Sequence, residues 1–133
     1  MRKFQLLIFL FSVFVLFVSH LSIHVVARNH SDFAQHDYDR ALRGEKNLAG
    51  AKLDRASFKG MDLRGVDFRD AELDVANFEN ADLSGANFTD ADLEDANLKG
   101  AKLTGAIFKD AELEFATWSN GRICAEGSIG GCW

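Results

Sequence analysis

Seven carboxylates are the side chains of this chain best placed to do chemistry: Glu72, Asp74, Asp92, Glu94, Asp95, Glu112 and Glu114. Six of them flank Leu73, Leu93 and Leu113 in pairs, and Asp95 extends the middle pair. From Asp70 to Leu98 there are nine acidic residues and no basic one. Paired carboxylates suit three chemistries. An acid and a nucleophile or base can cleave a glycosidic bond, given a cleft that positions the sugar and excludes water. Oxygens converging on one point can hold a divalent cation. A row of carboxylates on an open surface can dock a basic partner. Other reactive groups are sparse. His20 and His24 lie in the N-terminal segment read below as a cleavage region, and His30 and His36 have no convincing set of Cys, Asp or Glu around them, so no metal is expected. Cys124 and Cys132 are too far apart for a C-x-x-C redox pair. No nucleophile–base pair, phosphate loop or HExxH site is present. No cofactor and no enzymatic activity are expected.

The carboxylates are carried by a repeat. A Leu or Phe returns every five residues: Leu48, Leu53, Phe58, Leu63, Phe68, Leu73, Phe78, Leu83, Phe88, Leu93, Leu98, Leu103, Phe108 and Leu113, with Trp118 next in phase. These are called centres below. Two residues before nearly every centre stands Ala. The residues beside each centre are polar. A period of five fits neither a helix at about 3.6 nor a strand at 2. It requires a chain that turns a corner every five residues, with one large and one small side chain facing inward per unit. Gly50, Gly60, Gly65, Gly85, Gly100 and Gly105 fall two after a centre, where a corner wants a permissive backbone.

Units such as Ala81-Asp82-Leu83-Ser84-Gly85, Ala86-Asn87-Phe88-Thr89-Asp90 and Ala91-Asp92-Leu93-Glu94-Asp95 resemble the A(D/N)LXX repeats of the pentapeptide repeat family. About fifteen consecutive units match, over more than half of the chain. The resemblance implies an all-β fold, a right-handed quadrilateral β-helix in which four units make one coil. Nearly four coils are expected. Residues twenty apart then stack. Phe68, Phe88 and Phe108 continue from Leu48, and Phe58 and Phe78 are followed by Leu98 and Trp118. Two all-Leu columns complete the square. The carboxylates around Leu73, Leu93 and Leu113 fall on one face, about 5 Å apart from coil to coil. Asn77 and Asn97 should hydrogen-bond along their column. Phe115 should pack beneath the tail.

The ends differ from the repeat. Met1-Arg2-Lys3 followed by the apolar run from Phe4 to Val18 reads as a secretory signal, residues 1–27, with cleavage after Ala27. An uncleaved membrane anchor is the other reading. The net charge is −5, and loss of Arg2 and Lys3 makes it more negative. An acidic chain is unsuited to non-specific binding of nucleic acid or anionic membrane. Residues 28–45 read as a helical cap on the first coil, with Ser31-Asp32 at its start and Gly44 at its end. Residues 46–120 form the β-helix. The end of the chain from Thr117 to Cys132 resembles the T-W-x-(D/N)-G-x-x-C-A-x-G-S-x-G-x-C ending of some exported pentapeptide repeat proteins, and residues 121–133 read as the C-terminal cap. With an even cysteine count behind an export signal, Cys124 and Cys132 are expected to form a disulfide that closes this cap.

The expected function is an exported, non-catalytic scaffold or protein-binding module, periplasmic or secreted. Its candidate docking surface is the acidic face, and its expected partner is a protein with a basic surface. The alternative, suggested by acidic members of the family, is a DNA-mimic-like inhibitor of a nucleic-acid-binding protein. The sequence leaves the oligomeric state open.

Overall fold

The structure, a computed structural model, describes residues 30–132. The chain divides into two units, Met1–Phe33 and Ala34–Trp133, and the coils belong to the second. The signal segment read over 1–27 and the terminal Trp133 lie outside the described residues. Among the described residues no helix is long and apolar enough to cross a membrane.

Each five-residue unit makes one side and one corner. The residue before each centre pairs in parallel with the residue twenty further on, as in Lys52 with Glu72, Glu72 with Asp92 and Asp92 with Glu112. The series runs from Asn47 to Thr117, with four bridged sides to each turn of the chain. Every parallel bridge is isolated, because a side is too short for more than one. The pairing is therefore that of a β-helix without extended strands. Leu73 N–H donates to the Asp92 carbonyl at 2.9 Å, and Asp92 N–H donates to the Ala71 carbonyl at 3.0 Å. The corner closes when the next Ala N–H reaches the centre's carbonyl, as in Ala76 to Leu73 at 3.0 Å. The second corner residue has positive φ at every corner from Gly50 to Phe115, as a type II turn requires.

The repeat's preference for Asp or Asn before the centre has a local cause. The side-chain Oδ1 accepts the backbone N–H two residues on, holding the chain into its corner. Asn47, Asp62, Asp67, Asn77, Asp82, Asn87, Asp92 and Asn97 all do this, at 3.0–3.2 Å. Asn97 also donates weakly to Asn77 at 3.4 Å, the expected ladder contact.

The centres form the core. Phe58, Phe68, Phe78 and Phe88 are fully buried, as are Leu73, Leu83, Leu93 and Leu98. Phe68 stacks on Phe88 and Phe88 on Phe108, each at 5.0 Å between centroids. Phe58 stacks on Phe78 at the same distance, and the two columns meet edge to face across the interior. Each buried ring contributes roughly 1.5–3 kcal/mol, so this interior holds the coils together.

Helix α1, His30–Leu42, covers the start of the stack. It begins before Ser31, so that residue lies in the first turn instead of preceding it. Gly44, with φ 77°, ends it in a Schellman turn: Glu45 N–H reaches Arg40 O and Gly44 N–H reaches Ala41 O. The first coil has no coil before it, and α1 supplies the missing partners. Asp37 accepts Lys52 N–H at 2.9 Å, Tyr38 Oη donates to Ser57 O at 2.8 Å, and Arg40 donates to Asn47 O. At the far end the tail turns back and pairs antiparallel, Ile123 with Thr117 and Ile129 with Glu112. Cys124 and Cys132 are joined by a disulfide, with Cα atoms 4.8 Å apart.

Candidate functional site

The face centred on Leu53, Leu73, Leu93 and Leu113 carries two outward columns. Before the centres stand Lys52, Glu72, Asp92 and Glu112, joined in succession by bridges. After the centres stand Asp54, Asp74, Glu94 and Glu114. A shallow groove of ≈ 540 Å³ runs along this face, lined by Asp54, Arg55, Glu72, Asp74, Val75, Asp92, Glu94 and Asp95. Five of the seven carboxylates singled out from the sequence therefore share one groove. Glu112 and Glu114 continue its columns one coil further, where Glu112 also pairs with Ile129 of the tail.

Asp54 and Arg55 belong to this surface and were not among those seven. The signal for Asp54 was legible, because the column after the centres is acidic in all four coils. Val75 is an apolar residue at a corner of this face. It is 43% exposed and holds φ 58°, an unusual backbone for a β-branched side chain. Phe115, expected under the tail, stays 44% exposed with φ 56°. Its corner geometry turns the side chain outward.

Charge is balanced differently here than on the other faces. Asp62 pairs with Arg64 at 2.6 Å, Asp67 with Arg69 at 2.7 Å, and Glu79 with Lys59 at 2.7 Å. On the acidic face only Glu72 has an ion-pair partner among the described residues, Lys52 at 2.6 Å. The consequences reach the titration of the face. Burial, and then the charges of Glu72 and Asp74, push the Asp54 carboxyl above the ordinary range. Desolvation, and then Glu114 and Asp92, push Glu94 upward. Elsewhere the shifts run the other way: the Arg69 hydrogen bond holds Asp67 down, and the Lys59 hydrogen bond holds Glu79 down.

The local bonding differs too. Glu72 and Glu112 occupy the position where Asp or Asn would fasten the corner, and neither makes that bond. Only Asp92 does, to Glu94 N–H at 3.0 Å. The carboxylates of Glu72 and Glu112 are thus free of the backbone. No group of three or more His, Cys, Asp or Glu able to hold a metal ion occurs among the described residues. What this surface can do is present negative charge at fixed spacing on a rigid frame.

A square-coiled solenoid with one acidic face is the class that fold and site define. The family model for pentapeptide repeats matches in eight copies, over residues 47–76 and 71–110. Among solved structures, the pentapeptide repeat protein alr5209 from Nostoc Pcc 7120 is 30% identical, with a TM-score of 0.57, covering 64% of this chain and 71% of its own. Rfr23, a pentapeptide repeat protein from the cyanobacterium Cyanothece 51142, is 34% identical with a TM-score of 0.52 over 53% of this chain. This chain spans 48% of Rfr23, about half its length. No curated protein matches. The chain belongs to the pentapeptide repeat family, whose members fold as right-handed quadrilateral β-helices.

Proposed function

We propose that this chain is an exported, non-catalytic pentapeptide repeat scaffold whose acidic face docks a partner protein through a basic surface. The observation that carries the reading is the column Asp54, Asp74, Glu94, Glu114: carboxylates in four successive coils with no ion-pair partner among the described residues. Such a face raises the rate of encounter with a cationic surface and fixes its register. The groove is shallow and open, so it suits a macromolecular surface better than a substrate that must be enclosed. Export rests on the sequence of residues 1–27, which places the docking outside the cytoplasm.

Two experiments test the parts separately. N-terminal sequencing of the protein from fractionated cells should return a chain beginning at Arg28 in the exported fraction; a cytosolic chain still beginning at Met1 refutes export. A photo-crosslinker at Glu94 should trap a basic protein that the same group at Asp82, on the opposite face, does not. Reversal of Asp74 and Glu114 to Lys should abolish the crosslink. Equal trapping from both positions, or indifference to the reversals, would leave the face as a solubilising surface.

A further inference from the structure

The two ends of the stack are held by different means. At the start, side chains alone fix α1. Ala41 is buried, Tyr38 packs on Phe58 at 5.7 Å between centroids, and Asp37, Tyr38 and Arg40 bond the first coil. At the far end the tail lies across two sides of the last coil. Leu113 N–H donates to Ser128 O, Trp118 N–H to Arg122 O, Cys124 N–H to Ala116 O and Gly130 N–H to Ala111 O. The other two sides are a bare edge, where Leu103, Gly105 and Phe108 N–H have no backbone partner among the described residues.

The tail's side chains add little to its hold. Of residues 121–132, only Cys124 and Ser128 are buried, and Gly131 and Cys132 are half-buried. Its two large apolar residues, Ile123 and Ile129, are 61% and 53% exposed. The Ser128 hydroxyl is buried with no hydrogen-bond partner among the described residues, so it opposes closure. What remains is the cystine. Cys124 is 1% exposed and belongs to the core, and Cys132 packs against that core. A covalent clasp thus does at this end what a packed helix does at the other.

The two sulfurs differ in access. Cys124 is buried against the coils, whereas half-buried Cys132 follows Gly130 and Gly131, which have no side chains to shield it. An incoming thiolate therefore meets Cys132 first. We propose that the Cys124–Cys132 bond is a redox-operated clasp. An external dithiol reduces it by attack at Cys132, and the tail lifts from the last coil while the coils beneath stay folded. In the first step a thiolate of the dithiol bonds to Cys132 Sγ, the Cys124–Cys132 bond breaks, and Cys124 Sγ takes up a proton. In the second, the other thiol gives up its proton, bonds to the first sulfur of the reductant and displaces Cys132 Sγ, which is protonated. Two electrons pass from the dithiol, now a disulfide, to the cystine, now two thiols. Lifting frees the Leu113 and Trp118 N–H groups and the Ala111 and Ala116 carbonyls, which extends the bare edge to all four sides. It also parts Ile129 from Glu112 at the end of the acidic face. The proposal does not depend on what that face binds.

Amide hydrogen exchange, followed by NMR on the protein as isolated, tests it. With the disulfide intact, the Leu113, Trp118, Cys124 and Gly130 amides should be protected. Dithiothreitol should speed their exchange by about thirty- to a hundredfold, the hold that closing so small a loop supplies. The Phe68, Phe78 and Phe88 amides should keep their protection. Unchanged exchange at the four tail-paired amides overturns the proposal, as does equal acceleration through every coil. Ser128→Ala should slow exchange in the reduced protein by about fivefold or more; no slowing overturns the assignment of that hydroxyl as the tail's weak point. Glutathione at limiting concentration, quenched with iodoacetamide, should be found on Cys132 with Cys124 alkylated. Attachment to Cys124 instead overturns the point of attack.

Discussion

Replacing Glu112 by Asn should make this protein more stable. At eight other units an Asp or Asn in the equivalent place fastens the corner by accepting the N–H two residues on, at 3.0–3.2 Å. Glutamate is one methylene too long for that bond, and the Glu114 N–H has no partner among the described residues. Asparagine would restore the bond, a net gain of about 0.5–1.5 kcal/mol. It would also remove a negative charge stacked beneath Asp92, a like-charge contact worth roughly 0.2–1 kcal/mol. The two together amount to about 1–2 kcal/mol. In a domain of this size each kcal/mol raises the melting temperature by roughly 4–8 °C.

The assay is thermal and urea unfolding followed by circular dichroism at neutral pH, disulfide intact. The mirror substitution is Asn97→Glu, which breaks the bond to Lys99 N–H and the contact with Asn77; it should lose about 1 kcal/mol. If Glu112→Asn is no more stable than the parent, or Asn97→Glu no less, then corner fastening does not explain the repeat's Asp/Asn preference. The idea that the acidic face gives up stability would fall with it.

Three further outcomes are expected. Phe78→Ala removes a fully buried ring that stacks on Phe58 and meets Phe68 and Phe88, and should lose about 3–5 kcal/mol; Phe108→Ala, at the half-open end, should lose distinctly less in the same urea titration. Gly100→Ala and Gly85→Ala both place a side chain at positive φ, a penalty of about 1–2 kcal/mol; at Gly100 the new Cβ meets Asn80 Oδ1, the end of an exposed side chain that can swing aside, so the two variants should lose about equally. The third concerns pH. Asp54 and Glu94 have folded pKa values above the ordinary carboxylate range. Their favourable contribution is complete below the ordinary value and is lost as pH rises through the folded value, so mild acidification from neutral should stabilise the protein through them. Asp67 and Glu79 are shifted down; their contribution persists until pH falls through their lower folded values. The urea midpoint should therefore pass through a maximum on the acid side of neutral, and Asp54→Asn with Glu94→Gln should flatten the rise.

The period and its column assignment were legible because every centre is an apolar residue in unbroken phase. That phase, together with the four units per coil that the family resemblance implies, places Phe68 over Phe88 and sets Leu columns opposite one another. The disulfide was legible from its context. The caps were legible only as capping segments. That Asp37, Tyr38 and Arg40 would each meet a specific backbone group of the first coil depends on the docking angle of α1, which no local pattern encodes. The bare edge at Leu103 and Phe108 was hidden for a similar reason. A tail of this length covers two sides of the last coil, and which two follows from where it turns back. On the acidic face, the carboxylates around three leucines were legible as pairs, whereas Asp54 stood outside that set because Lys52 and Arg55 accompany it in the first coil.

Three local departures from the repeat fall on the same face. Its carboxylates stack with a single ion-pair partner among the described residues, at Glu72. Two of its four corner-fastening positions hold Glu, which cannot fasten. Its corner column reads Arg55, Val75, Asp95 and Phe115, all at positive φ and none of them glycine, whereas the column of Gly65, Gly85 and Gly105 on the opposite face is glycine throughout. A non-glycine residue in that conformation is strained by about 1–2 kcal/mol, least for Asp. A face that needed only solubility could carry Asp and Asn at the fastening positions and Gly at the corners, and would be more stable for it. Under the docking role proposed above, the side chains that depart from these local preferences are the ones presented outward: free carboxylates at fixed spacing, edged by the exposed side chains of Val75 and Phe115.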